Sequence, residues 1–88
     1  MKLEEEKINY IESEGNYVLF YTDEKIYKIR STIKNILSEL SESDFIQTHR
    51  AYIINKSKIE IFSSKSLIIR NVNIPISENY LDKVKLFL

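Results

Sequence analysis

The hydrophobic period of this chain changes once in its middle, and that change constrains the fold class. Ile33, Ile36, Leu37 and Leu40 fall at i, i+3, i+4 and i+7, one stripe of a helix. On either side the apolar residues follow strand patterns instead. Residues 7–12 read as a short strand. Ser13-Glu14-Gly15-Asn16 reads as a turn in which Gly15 is free to take positive φ. Residues 17–22 form a dense β-branched and aromatic run, and residues 25–30 alternate lysine with apolar side chains, as a strand with one wet face does. The helix is placed at 32–41, with Ser31 or Thr32 as its cap. Strands are then expected at 58–63 and 66–70, and a short one at 73–76, where Pro75 indicates an edge. Ser77 stands where it caps a last helix with Tyr80, Leu81, Val84 and Leu88 on its buried side. The order predicts a mostly β, β-rich α+β fold of short antiparallel strands, with one central helix and a short C-terminal helix. No parallel crossover is needed, because the central helix joins two β groups and does not repeat βαβ units.

A chain of 88 residues makes a single domain, 1–88, with a thin core. Its apolar set is rich in isoleucine, with six tyrosines and four phenylalanines, which again favours strands. The absence of cysteine removes disulfides, thiolate metal sites and cysteine nucleophiles, and fits a reducing cytoplasm. No apolar run approaches the roughly 18 residues of a membrane span, and Met-Lys-Leu-Glu-Glu-Glu has no signal-peptide pattern. Catalysis finds no support. There is one histidine, no Gly-x-Ser-x-Gly and no glycine-rich phosphate loop, and nothing at metal spacing asks for a metal or a cofactor. Glu4-Glu5-Glu6 reads as a solvated terminus.

The net charge is zero, which taken alone argues against a nucleic-acid partner. The distribution is polarised, however. Residues 1–24 carry two lysines against seven carboxylates, a balance of −5; residues 45–75 carry Arg50, Lys56, Lys58, Lys65 and Arg70 against Glu60, a balance of +4. A polarised chain can still present a positive face to DNA. In the positive half, Phe45-Ile46-Gln47-Thr48-His49-Arg50-Ala51-Tyr52-Ile53-Ile54-Asn55 pins a His-Arg step between apolar anchors. Arginine bonds guanine through two parallel N–H groups, and histidine donates to or accepts from a base edge or phosphate. Lys56 and Lys58, just past the step, suit phosphate contacts. Asn55 suits side-chain-to-backbone bonds at a turn. Tyr10, Tyr17 and Tyr52 interleave with isoleucines and read as core residues.

The Phe45–Asn55 segment resembles the His-Arg-Ser/Ala-Tyr-x-Val/Ile-Asn signature of LytTR DNA-binding domains. Three further pieces agree in order and spacing: Ile8-Asn9-Tyr10-Ile11-Glu12-Ser13-Glu14-Gly15-Asn16-Tyr17-Val18, the stripe from Ile33 to Leu40, and Ile74-Pro75-Ile76-Ser77. The resemblance implies a domain that lays loops into successive major grooves of a double-stranded DNA, for bacterial transcription regulation. It implies the output half of a two-component response regulator, with a receiver domain in a longer protein, repeated DNA sites and a dimer on DNA. It places base-facing residues at Asn16, at His49 and Arg50, and at Glu78-Asn79. Asn16 either bonds adenine or simply tolerates a left-handed backbone. Two departures stand out. Glu78 occupies a position that usually holds arginine, where it accepts from cytosine N4 or faces solvent. The family's leading strand is missing or replaced by the acidic residues 1–6. A β-rich protein-interaction or dimerisation module without DNA affinity is the alternative reading, favoured by zero net charge and Glu78.

Overall fold

A computed structural model describes residues 3–88; Met1 and Lys2, part of the acidic segment expected in place of a leading strand, lie outside the described residues. A five-stranded antiparallel sheet forms the centre. In chain order its strands are β1 (Tyr10–Glu14), β2 (Tyr17–Tyr21), β3 (Ile26–Arg30), β4 (Phe45–His49) and β5 (Tyr52–Asn55), arranged β3-β2-β1-β5-β4. Helix α1 (Ile33–Glu39) connects β3 to β4. A smaller sheet comes next, of β6 (Ile61–Phe62), β7 (Ser66–Ile69) and β8 (Val72–Pro75), and α2 (Glu78–Phe87) ends the chain.

The large sheet is buried on both faces, and the sequence shows why. Side chains alternate across a strand, so neighbours in β1 and β5 serve opposite faces. Ile11 pairs with Ile53, and both pack with Val18, Phe20 and Phe45 against Ile33 and Ile36 of α1. Tyr10 pairs with Ile54, and both pack with Leu67, Ile69, Ile74 and Ile76 of the small-sheet region and Val84 of α2. Strands covered on both sides read as unbroken apolar runs, which explains Val18-Leu19-Phe20 and Tyr52-Ile53-Ile54. The outer strand β3 keeps its alternation: Tyr27 and Ile29 pack on the α1-side core, while Lys28 and Arg30 are exposed.

The fold class agrees with expectation; several boundaries do not. The His-Arg segment is itself a hairpin, β4 and β5, with Arg50-Ala51 at its turn. The first strand starts three residues late, because residues 5–7 form a 3₁₀ turn. The strand expected at 58–63 shrinks to Ile61–Phe62 behind a second 3₁₀ turn at Lys56–Lys58, where Asn55 Oδ1 accepts from the Ser57 N–H at 3.1 Å. The central helix stops at Glu39, since Leu40 takes an extended conformation as its C-cap; Thr32 caps the other end, accepting from Asn35 N–H at 3.1 Å. Leu37 and Leu40 are half-buried. Ser77 sits at the N-cap of α2 without a side-chain capping bond, and Leu88 is exposed. Tyr10 is buried as expected, but Tyr17 is 38% exposed with Lys28 Nζ 4.7 Å from its ring centre. Pro75 lies on β8, an outer strand.

Two turns need left-handed backbone. Gly15 takes φ 61° between Glu14 and Tyr17, which fits a two-residue hairpin loop with glycine first. Asn16 is not left-handed, so its presence there needs another reason. Arg70 and Asn71 both take positive φ, 51° and 65°, between Ile69 and Val72, the pattern of a type I′ turn. Arginine is uncommon in that region. Here its side chain is fastened: Arg70 Nε donates to Asp23 Oδ1 at 2.7 Å and its backbone N–H to Glu60 Oε2 at 2.9 Å. Asp23 Oδ1 also accepts from Asn9 Nδ2 at 2.9 Å. The clamp joins the β7–β8 turn to the β2–β3 turn.

Candidate nucleic-acid interface

The β4–β5 hairpin is irregular at one point. Its register runs evenly from Phe45–Asn55 to Gln47–Ile53, then shifts so that His49 faces Tyr52. Thr48 is the extra residue of a β-bulge, and a bulge re-aims the side chains beyond it. Without it, His49 would share the face of Phe45 and Gln47. With it, His49 lies across from Tyr52, ring edge to ring face at 5.7 Å. Thr48 itself is fully buried, and its carbonyl accepts from Ser77 N–H at 3.0 Å. That bond brings the start of α2, with Glu78 and Asn79, beside the hairpin.

The turn is braced on three sides. Ser13 N–H donates to Ala51 O at 2.9 Å, Gln47 Nε2 donates to Arg50 O at 3.3 Å, and Ala51 N–H donates to His49 Nδ1 at 3.1 Å. The last bond requires an unprotonated Nδ1, so the neutral ring carries its proton on Nε2. Tyr52 is fixed in turn, its hydroxyl donating to Glu12 Oε2 at 2.9 Å, while Tyr21 donates to Glu12 Oε1 at 3.1 Å. Burial, and then these bonds to a carboxylate, push both phenols up to about 12.

Arg50 leaves this scaffold exposed and, among the described residues, without an ion pair. It lines an open cleft with Gly15, Asn16, Arg30, Ser31 and Thr32, formed where the β1–β2 turn, the end of β3 and the β4–β5 turn meet. No carboxylate lines the cleft, and Glu14 beside it is 3.7 Å from Lys28 Nζ. The structure therefore brings Asn16 to Arg50 at one cleft, with His49 next to Arg50 in the chain, and sets the start of α2, which carries Asn79, against β4. It does not bring Lys56 and Lys58 there. They lie past the other end of β5, where Lys56 Nζ is 5.3 Å from the Phe87 ring centre and Lys58 stands near Asp23. Sequence reasoning passed over Arg30, which the register Tyr17–Arg30 sets opposite the residue after Asn16. It also counted Arg70 toward a positive face, whereas Asp23 and Glu60 neutralise it. Glu78 is exposed in the first turn of α2, where a carboxylate complements the helix dipole.

No helix among the described residues is long and apolar enough to cross a membrane. A LytTr DNA-binding domain family model matches residues 1–88. The sensory transduction protein LytT of Enterococcus faecalis is 28% identical over 86 residues, which cover 91% of this chain and 36% of that protein. The chain thus spans about a third of the length of that curated relative. A solved LytTr DNA-binding domain from Bacillus cereus superposes with a TM-score of 0.87 over 99% of this chain and 85% of that one, at 19% identity, a likeness of fold. With every residue of the chain inside the family match, the chain belongs to the LytTR DNA-binding domain family.

Proposed function

We propose that this domain binds double-stranded DNA sequence-specifically in bacterial transcription regulation, with its turns entering successive major grooves. The observation that carries the reading is Arg50: an exposed guanidinium without an ion pair among the described residues, on a turn held by three hydrogen bonds. A reader so held loses little freedom on binding, and its two parallel donors match guanine O6 and N7. His49 offers Nε2–H beside it, Asn16 offers an amide suited to adenine, and Asn79 extends the contact from the start of α2. Glu78 faces solvent or accepts from cytosine, in place of the family's usual arginine. Lys56 and Lys58 are assigned to phosphates flanking the groove. In a longer protein the domain serves as the output of a response regulator, controlled by a receiver domain, and binds repeated sites as a dimer.

Selection from a random duplex library tests the reading. Enrichment of a short, repeated motif is expected, with binding that weakens steeply as salt rises. No enrichment, together with salt-insensitive self-association, would favour the interaction-module alternative and overturn the proposal.

A further inference from the structure

We infer that the cleft between the β1–β2 turn, the end of β3 and the β4–β5 turn is a seat for one backbone phosphate of the duplex, and that Arg30 is the residue that binds it. The inference rests on the DNA-binding reading above and adds a residue and a role to it. The chain has three arginines. Arg70 is occupied by Asp23 at 2.7 Å and Glu60 at 3.6 Å. Arg30 and Arg50 have no ion pair among the described residues, and both line this one cleft. Two guanidinium groups at one concavity without a carboxylate repel each other and favour an anion between them. Ser31 adds a hydroxyl to the same wall. The two arginines differ in mounting. Arg50 sits on the β4–β5 turn with its backbone held by hydrogen bonds, as base reading requires. Arg30 ends the outer strand β3, opposite Tyr17 and on another wall of the cleft. With Arg50 directed to a base, an arginine on the neighbouring wall of the same cleft falls to the backbone beside that base, and the backbone is phosphate.

The test compares wild type, Arg30→Ala and Arg30→Lys on the duplex recovered by selection and on a scrambled duplex of equal length. Thermal melting of each variant checks the fold. Arg30→Ala is expected to weaken both duplexes by the same factor and to leave the preference between them unchanged. Raising salt from about 50 to about 200 mM should cost this variant about 3.5-fold less affinity than it costs wild type, the share of one phosphate contact. Arg30→Lys is expected to recover most of the loss, because a phosphate accepts a point charge where a guanine edge does not. Unchanged affinity and salt slope, or a loss confined to the selected duplex, overturns the phosphate role while leaving the DNA-binding reading intact. Wild type that binds neither duplex overturns both.

Discussion

Arg50 and Arg70 carry the same guanidinium and are used in opposite ways. Arg70 holds two turns together through Asp23 and Glu60. Arg50 touches no acid among the described residues and is free for a ligand. Arg50→Ala is therefore expected to leave thermal stability nearly unchanged while costing about 1–3 kcal/mol of binding at one base position. Arg50→Lys should not restore preference there, since an ammonium cannot make the two-pronged bond; binding curves on single-base variants of the selected site read both effects. Asp23 makes the contrasting forecast. The hydrogen bond from Arg70, and then that from Asn9, hold its carboxyl down at about 2, below the ordinary 3.8. The clamp's contribution is thus full above the ordinary value and is lost as pH falls through about 2. Asp23→Asn should lower the melting temperature at pH 6, and the gap to wild type should close over that acid range. A gap independent of pH would mean that the carboxylate's charge plays no part.

At the level of elements, the helical stripe was legible because four apolar residues at helical spacing would fall on both faces of a strand but on one face of a helix. Its edges were not. Leu40 satisfies the spacing yet lies past the helix, since a C-cap also turns a side chain toward the core. Ile36 is buried and Leu37 half-buried. Ile36→Ala should cost about 2–5 kcal/mol, as a buried truncation does, and Leu37→Ala distinctly less. Denaturant unfolding of the two variants measures the order, and the reverse order would mean that the helix is rotated. The β4–β5 hairpin was harder to read. Its residues alternate poorly, because β5 is covered on both faces and β4 carries a bulge at Thr48. The apolar anchors around His49-Arg50 were visible in the sequence, but that they form two strands of the central sheet was not. Tyr17 was misplaced for a related reason: at the end of β2 the inward position on its face belongs to Leu19.

Across the whole molecule, a net charge of zero conceals a division of labour. Two carboxylates of the first two hairpins pair with basic groups, Asp23 with Arg70 and Glu14 with Lys28. What remains without an ion pair at the cleft, among the described residues, is basic: Arg30 and Arg50. The candidate site was legible as far as Asn16, His49 and Arg50, whose neighbours in sequence announced them. Arg30 was not, because its closeness to Arg50 depends on how three turns meet. Lys56 and Lys58 lie a strand's length from Arg50, roughly 13 Å at the usual rise for the four residues of β5. If they contact flanking phosphates, alanine at either should weaken selected and scrambled duplexes alike and reduce the magnitude of the salt slope by about 1. Unchanged slopes in both variants would remove them from the interface.

The bond from Ala51 N–H to His49 Nδ1 makes the β4–β5 turn observable without any added label. This is the only histidine in the chain, so its ring nitrogens give the only imidazole signals in a ¹⁵N spectrum and need no assignment. While the turn keeps its shape, the neutral ring shows the Nε2–H tautomer; a turn that opens changes the pattern. A single resonance pair thus reports whether this turn is preformed, and its response to an added duplex tests the proposed contact before any operator is known.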